Sequence, residues 1–143
     1  LLDQFTKGLA NGGLQYGQPV IVFSWFNLTL QYNTGAAFSF LSDAGGWQRY
    51  FFSGAAIVIS GVLAAWLYLM PRGQLLLAVS LGLILGGAIA NVVDRIGDGV
   101  VIDVFDLGWW PTFNLADVWI TLGVAIVLLI SATTETESSG AVT

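Results

Sequence analysis

Three long apolar runs alternate with polar, glycine-rich stretches along this chain. Residues 50–70 carry no charge and stop at Pro71-Arg72-Gly73. Residues 74–93 form a second uncharged run, closed by Asp94-Arg95. Residues 113–130 form the third, with Asn114 and Asp117 at its start and no charge beyond them. About 20 helical residues cover the hydrocarbon core of a bilayer, about 30 Å. Each run therefore predicts a spanning helix, and the short turn at 71–73 makes the first two an antiparallel hairpin. Gly54, Ala55, Ala56 and Gly61 on one helix, and Gly82, Gly86, Gly87, Ala88 and Ala90 on the other, predict close helix contact.

The remaining stretches follow other patterns. Residues 1–11 allow about 16 Å of helix, too short to cross a bilayer. They read as a surface helix or as the outer end of a spanning helix, the chain beginning partway through a longer sequence. Residues 12–41 contain helix breakers (Gly12-Gly13, Gly17, Pro19). They also hold two β-prone stretches, Val20-Ile21-Val22-Phe23 and Asn27-Leu28-Thr29-Leu30-Gln31-Tyr32. A small antiparallel sheet at the membrane surface is expected there. Residues 96–112 read as a Gly- and Trp-rich loop with a short strand at Val100-Val101-Ile102, and Trp109-Trp110 suit an interfacial belt. Residues 131–143 read as a polar, acidic, irregular tail. The whole of 1–143 reads as a single integral membrane domain.

Parity gathers the polar residues. The turn at 71–73 lies on one membrane side. The sheet region, Asp94-Arg95, the Trp loop, Asn114 and Asp117 lie on the other. Composition agrees with a membrane protein: 56% of the 143 residues are hydrophobic and 9% charged, where a soluble domain carries about a quarter charged residues. The net charge of -5 leaves no basic footprint for nucleic acid. Arg72 stands alone on the first side against Lys7, Arg49 and Arg95 on the second, so charge counting does not orient the chain. With no Cys and no His, aspartates are left as the candidates for chemistry.

Asp103 and Asp117 flank the Trp loop. Two carboxylates held close together cannot both ionise cheaply, so one keeps a proton while the other acts as base. The bland alternative is a loop carboxylate plus an acid favoured by a helix N-terminus. Asp94-Arg95 reads either as a helix-ending ion pair or as a scaffold whose Arg offers donors to the site or to a substrate carbonyl. Asn91 precedes Asp94 by three residues, and Asn114 precedes Asp117 by three. Each pair shares a helix face, and the two pairs could face each other across antiparallel helices. Asp98 and Asp106 read as solvated loop charges. A different class of function, a small polytopic transporter or channel subunit, would use Asp94, Asp103 and Asp117 along an ion path. Such proteins place ionisable residues near the midplane, whereas these stand at helix ends.

Five blocks together resemble lipoprotein signal peptidase (signal peptidase II). They are Asp3-Gln4-Phe5-Thr6-Lys7; Asn33-Thr34-Gly35-Ala36-Ala37-Phe38-Ser39-Phe40-Leu41 with Gly45-Gly46-Trp47-Gln48-Arg49; Gly86-Gly87-Ala88-Ile89-Ala90-Asn91-Val92-Val93-Asp94-Arg95; Val101-Ile102-Asp103; and Phe113-Asn114-Leu115-Ala116-Asp117. The resemblance implies a membrane all-α bundle of four helices, the first largely truncated here, with a small extracytoplasmic antiparallel β-cradle. It implies an aspartic endopeptidase of the bacterial cytoplasmic (inner) membrane. Such enzymes remove signal peptides from diacylglyceryl-modified prolipoproteins, on the amino side of the lipidated cysteine. The family's dyad falls on Asp103 and Asp117, and its supporting polar residues on Asp3, Asn33, Asn91, Asp94, Arg95 and Asn114. The resemblance also implies no cofactor and no metal. Its expected partners are the lipid-modified precursor, membrane lipid and a globomycin-type peptide inhibitor, on a monomer that binds no nucleic acid. Ala90 and Val104 depart from the family's usual Gly and bulky residue.

Overall fold

The computed structural model describes residues 1–34 and 46–140, with the side chains of residues 48, 49 and 134–140 outside that description. In chain order they form α1 (Leu2–Gly13), β1 (Val20–Phe23), β2 (Phe26–Asn33), α2 (Trp47–Leu69), α3 (Leu75–Gly97), β3 (Val101–Asp106) and α4 (Leu115–Gly140). Among the described residues three segments are long and apolar enough to cross a membrane: Tyr50–Leu69, Leu75–Gly97 and Leu115–Thr133. They match the three apolar runs. Gly73, with φ of 100°, supplies the left-handed residue that lets the α2–α3 connection reverse in so few residues.

Burial is inverted relative to a soluble protein. Side chains such as Val58, Tyr68, Leu69, Leu128 and Leu129 point outward. Four of the five largest fully buried side chains are polar: Lys7, Asn114, Asp103 and Ser80, with Leu81 the exception. Helix α1 repeats the pattern on a small scale. Its buried positions are Asp3, Lys7 and Ala10, one stripe at helical spacing, while Leu2, Phe5 and Leu9 are exposed. Hydrocarbon outside the protein accepts apolar faces, so the polar stripe turns inward to find partners.

Helices α3 and α4 run antiparallel and touch closely at two glycines. A Cβ on Gly87 would stand 2.5 Å from the Ala116 carbonyl oxygen, and one on Gly123 would stand 2.6 Å from the Ser80 carbonyl oxygen. The other helix glycines expected to give close contact do not. A Cβ on Gly54, Gly61, Gly82 or Gly86 would meet nothing within 4 Å. Small size on those faces leaves open surface instead of a helix seam.

The sheet is three-stranded and antiparallel, in the order β1-β2-β3. Asn33 pairs with Val101, Tyr32 with Ile102 and Gln31 with Asp103, and then the register slips before Leu28 pairs with Phe105. The slip is a bulge at Thr29 and Leu30, which are both buried although adjacent. It frees the Leu30 carbonyl to accept the Gly17 N–H at 3.0 Å. A small apolar core of Ala10, Leu30, Ile102 and Val104 seats α1 on this sheet. The Tyr32 hydroxyl donates to Asn11 Oδ1 at 2.7 Å and its ring stacks on Tyr16.

Several boundaries differ from the sequence reading. The third strand covers Val101–Asp106, longer than the short strand expected. It places Asp103 and Asp106 on a strand instead of in a loop, because its backbone is paired along β2. Helix α3 continues past Asp94-Arg95 to Gly97, where the Asp98 N–H closes the last turn onto the Asp94 carbonyl at 2.8 Å. Helix α4 continues through residues expected to be an irregular tail, reaching Gly140. Its early polar residues satisfy their hydroxyls within the helix: Ser131 Oγ donates to the Val127 carbonyl and Thr133 Oγ1 to the Leu129 and Ile130 carbonyls. The expectations for residues 35–45, including most of the Asn33–Leu41 block, and for residues 141–143 lie outside the described residues.

Candidate active site

The start of α4 builds the centre of the site. Asn114 precedes the helix, and its Oδ1 accepts the Asp117 N–H at 3.0 Å. Asp117 reciprocates, its Oδ2 accepting the Asn114 N–H at 3.2 Å. This exchange is a capping box with Asp in the acid position, and it satisfies two donors that a helix start leaves unpaired. The Asn114 amide has its oxygen engaged, so its Nδ2 faces away and donates to Asp103 Oδ1 at 2.8 Å. One asparagine therefore touches both aspartates.

Backbone pairing fixes that bridge. Phe113, just before Asn114, exchanges hydrogen bonds with Phe105 at 2.8 and 3.0 Å, and its carbonyl also accepts the Val104 N–H. The strand carrying Asp103 and the cap carrying Asn114 are thus tied together one residue away on each side. Asp103 Oδ2 receives a second amide donor, Asn33 Nδ2, at 3.2 Å. Asn33 ends β2 beside the Val101 pairing, so the sheet aims it at the same carboxylate.

A second polar layer comes from α1 and α3. Lys7 Nζ lies 2.7 Å from Asp3 Oδ2, 2.7 Å from Asp94 Oδ2 and 2.9 Å from Asn91 Oδ1. The two carboxylate contacts are ion pairs and the Asn91 contact is a hydrogen bond. Asp3 Oδ1 accepts the Ala116 N–H at 2.8 Å, so a carboxylate from α1 caps the first turn of α4, where the helix dipole favours it. Asp94 Oδ1 accepts Gln4 Nε2 at 2.6 Å, and its Oδ2 accepts the Ile102 N–H at 3.3 Å. Asn91 Nδ2 donates to Asp117 Oδ1 at 2.9 Å. The expected facing of α3 and α4 polar pairs holds for Asn91 and Asp117. Asp94 turns instead to α1 and β3.

Arg95 donates from Nη1 to the Asn91 carbonyl at 3.3 Å, while its Nε is buried without a hydrogen-bond partner. Its charge is felt by Asp117, Asp103 and Asp94, and Nε remains as an unpartnered donor. Burial pushes the Asp103 carboxyl up to about 6. The nearby Asp117 charge adds to that rise, while the amides of Asn33 and Asn114 and the Lys7 charge pull against it.

All eight residues singled out in the sequence, Asp3, Asn33, Asn91, Asp94, Arg95, Asp103, Asn114 and Asp117, lie in one connected cluster at one end of the helices. Asp98 is exposed, as expected. Asp106 is not a free loop charge: it accepts the Gly108 N–H at 2.7 Å and Asn27 Nδ2 at 3.4 Å. Two residues of the cluster were missed, Lys7 and Gln4. The signal was there, since Asp3, Gln4 and Lys7 share one face of a helix whose other large side chains are mostly apolar. Among the described residues no group of three or more carboxylates is placed to hold a metal ion.

Comparison with known proteins identifies the family and the fold. The family description "Signal peptidase (SPase) II" matches residues 1–133. A lipoprotein signal peptidase of Hydrogenovibrio crunogenus is 50% identical over 135 residues, covering 92% of this chain and 78% of the relative. One of Acinetobacter baumannii is 48% identical over 133 residues, covering 90% and 76%. A solved structure described as a bacterial membrane enzyme determined by the in meso method at 2.3 Å superposes with a TM-score of 0.87. It is 28% identical, with 95% of this chain and 84% of that one covered. With the family matched over nearly its whole length and the same fold in a solved membrane enzyme, this chain belongs to the signal peptidase II family of aspartic peptidases.

Proposed function

We propose that this chain removes the signal peptide from prolipoproteins by cutting on the amino side of a diacylglyceryl-modified cysteine, with Asp103 and Asp117 as its catalytic dyad. The observation that carries the reading is Asn114, which donates to Asp103 while exchanging hydrogen bonds with Asp117. Two aspartates joined to one asparagine, Asp103 through its side-chain amide and Asp117 through its backbone N–H, with the Asp103 carboxyl raised to about 6, support a pair that shares a proton.

The reaction follows from these positions. The ionised member of the dyad takes a proton from water, and the oxygen adds to the scissile carbonyl carbon. The protonated member donates to the carbonyl oxygen, giving a tetrahedral intermediate. Its collapse re-forms the carbonyl and breaks the C–N bond: one carboxyl gives its proton to the departing cysteine amine while the other takes a hydroxyl proton from the intermediate, restoring the single shared proton. The unpartnered Nε of Arg95 is a donor available to a substrate carbonyl. Chemistry at the helix ends suits a substrate whose acyl chains stay in the bilayer while its peptide reaches the surface, and the exposed sheet side chains Val20, Ile21 and Trp25 stand on that side. The extracytoplasmic orientation, the monomeric state and sensitivity to a globomycin-type peptide belong to the same proposal.

The test uses the full chain in detergent with two synthetic precursor peptides, alike except for the diacylglyceryl group on cysteine. Cleavage of the lipidated peptide alone, blocked by globomycin, is the expected result. Equal cleavage of both, or ion flux in liposomes without any cleavage, would reject the proposal.

A further inference from the structure

Lys7 is buried at 2% exposure, and the hydrolytic steps above do not use it. Its position is unusual for what it controls two bonds away. The Asn91 amide can present either its oxygen or its nitrogen to Asp117. An ammonium has no acceptor, so with Lys7 Nζ at 2.9 Å the Asn91 oxygen must face Lys7. That leaves Nδ2 facing Asp117 Oδ1, at 2.9 Å. The matching choice at Asn114 is made differently, by the Asp117 backbone N–H. The amide orientation at Asn91 thus depends on a side chain from another helix, 84 residues away.

We propose that Lys7 is a positioning residue for the hydrolysis, holding the Asn91 oxygen so that the Asn91 amide keeps donating to Asp117. The inference rests on the dyad reading above and adds a division of labour to it. The Asn91 donor holds Asp117 Oδ1 in place. Without Lys7 the amide is free to turn, and its oxygen then faces the carboxylate, acceptor against acceptor, so the carboxylate loses that hold. Asp3 and Asp94 hold Lys7 in place from either side. The titratable groups facing this cluster are Asp3 and Lys7 from α1, Asp94 and Arg95 from α3, Asp103 from β3 and Asp117 from α4. The sheet's β2 contributes the neutral Asn33.

The experiment measures kcat and KM separately for cleavage of a synthetic diacylglyceryl-cysteine precursor peptide by the full chain in detergent. Lys7→Met is expected to lower kcat at neutral pH by about tenfold or more and to leave KM within about twofold. Asn91→Leu should do the same, and the double variant should be no worse than the weaker single. If Lys7→Met fails to fold, the charge-matched pair Lys7→Met with Asp94→Asn, read against Asp94→Asn alone, carries the same expectation. A parental kcat in Lys7→Met or its charge-matched form would overturn the proposal, as would a change confined to KM or a double variant whose loss multiplies the two singles. These outcomes are separate from failure of the dyad itself, which would show as cleavage at the parental rate by Asp103→Asn or Asp117→Asn.

Discussion

The α3–α4 pair has two different ends. In the apolar half, Gly123 lets the helices approach until a Cβ there would lie 2.6 Å from the Ser80 carbonyl, and Ser80 Oγ is bonded back to the Leu76 carbonyl within its own helix. In the polar half, Asn91 reaches across to Asp117, and Asp3 reaches from α1 to the Ala116 N–H. Packing sets the spacing in the first and directed hydrogen bonds set the chemistry in the second. Gly87 stands at the join, one turn before Asn91 and against Ala116. The apolar end can therefore be disturbed without touching a carboxylate, whereas the join cannot.

Substitutions along this seam should separate the two roles. Asn114→Ala removes the cap and the bridge together. It is expected to lower the cleavage rate at least about 100-fold, while costing only about 1 kcal/mol of stability, read by activity and by thermal unfolding in detergent. Gly87→Ala adds a methyl against a backbone carbonyl that cannot move aside cheaply. Overpacking of about 1–3 kcal/mol exceeds the gain of about 1 kcal/mol from helix propensity, so stability falls. Activity should fall about tenfold with it, as Asn91 is carried away from Asp117. Gly123→Ala should show a similar stability loss with activity within about threefold, because its contact lies far from the dyad. Equal activity losses in the two glycine variants would remove the distinction between the ends.

A smaller effect concerns pH. The Asp103 carboxyl is raised to about 6 in the fold, so the native state binds more protons than the unfolded chain between about pH 4 and 6. Its contribution to stability is therefore present below that window and lost as pH rises through about 6. The full loss is on the order of 3 kcal/mol. Asp103→Asn should flatten this part of the stability profile, becoming relatively more stable toward neutral pH, as measured by unfolding at a series of pH values. The smallest effect is expected from Asp98→Asn at the exposed end of α3. Its stability should stay within about 0.5 kcal/mol of the parent, with cleavage unchanged.

The spanning helices were legible because hydrocarbon length and the absence of charge are strong, local signals. Asp103 and Asp117 stood out in the sequence as residue types in familiar blocks, and the structure joins both to Asn114. The extent of β3 was not, because its strand character comes from pairing with β2 about 70 residues away and from the Phe113 pairing, neither of which leaves a local pattern. Lys7 was missed although it shares a helix face with Asp3 and Gln4. A single lysine on a short helix looks like a surface charge until Asp94 and Asn91 of α3 are brought against it. The end of α4 was misjudged because polar composition suggested irregular structure, while Ser131 and Thr133 hydroxyls instead bond back to the helix.

The central claim is that Asp103 and Asp117 act as one catalytic unit. Its most direct test is the rate of lipidated-precursor cleavage by Asp103→Asn, Asp117→Asn and the double variant, each shown to be folded in detergent. Each single variant should lose at least about 1,000-fold, with the double no lower than the singles, as expected for groups that act as a unit. Cleavage near the parental rate by either folded single variant would contradict the claim.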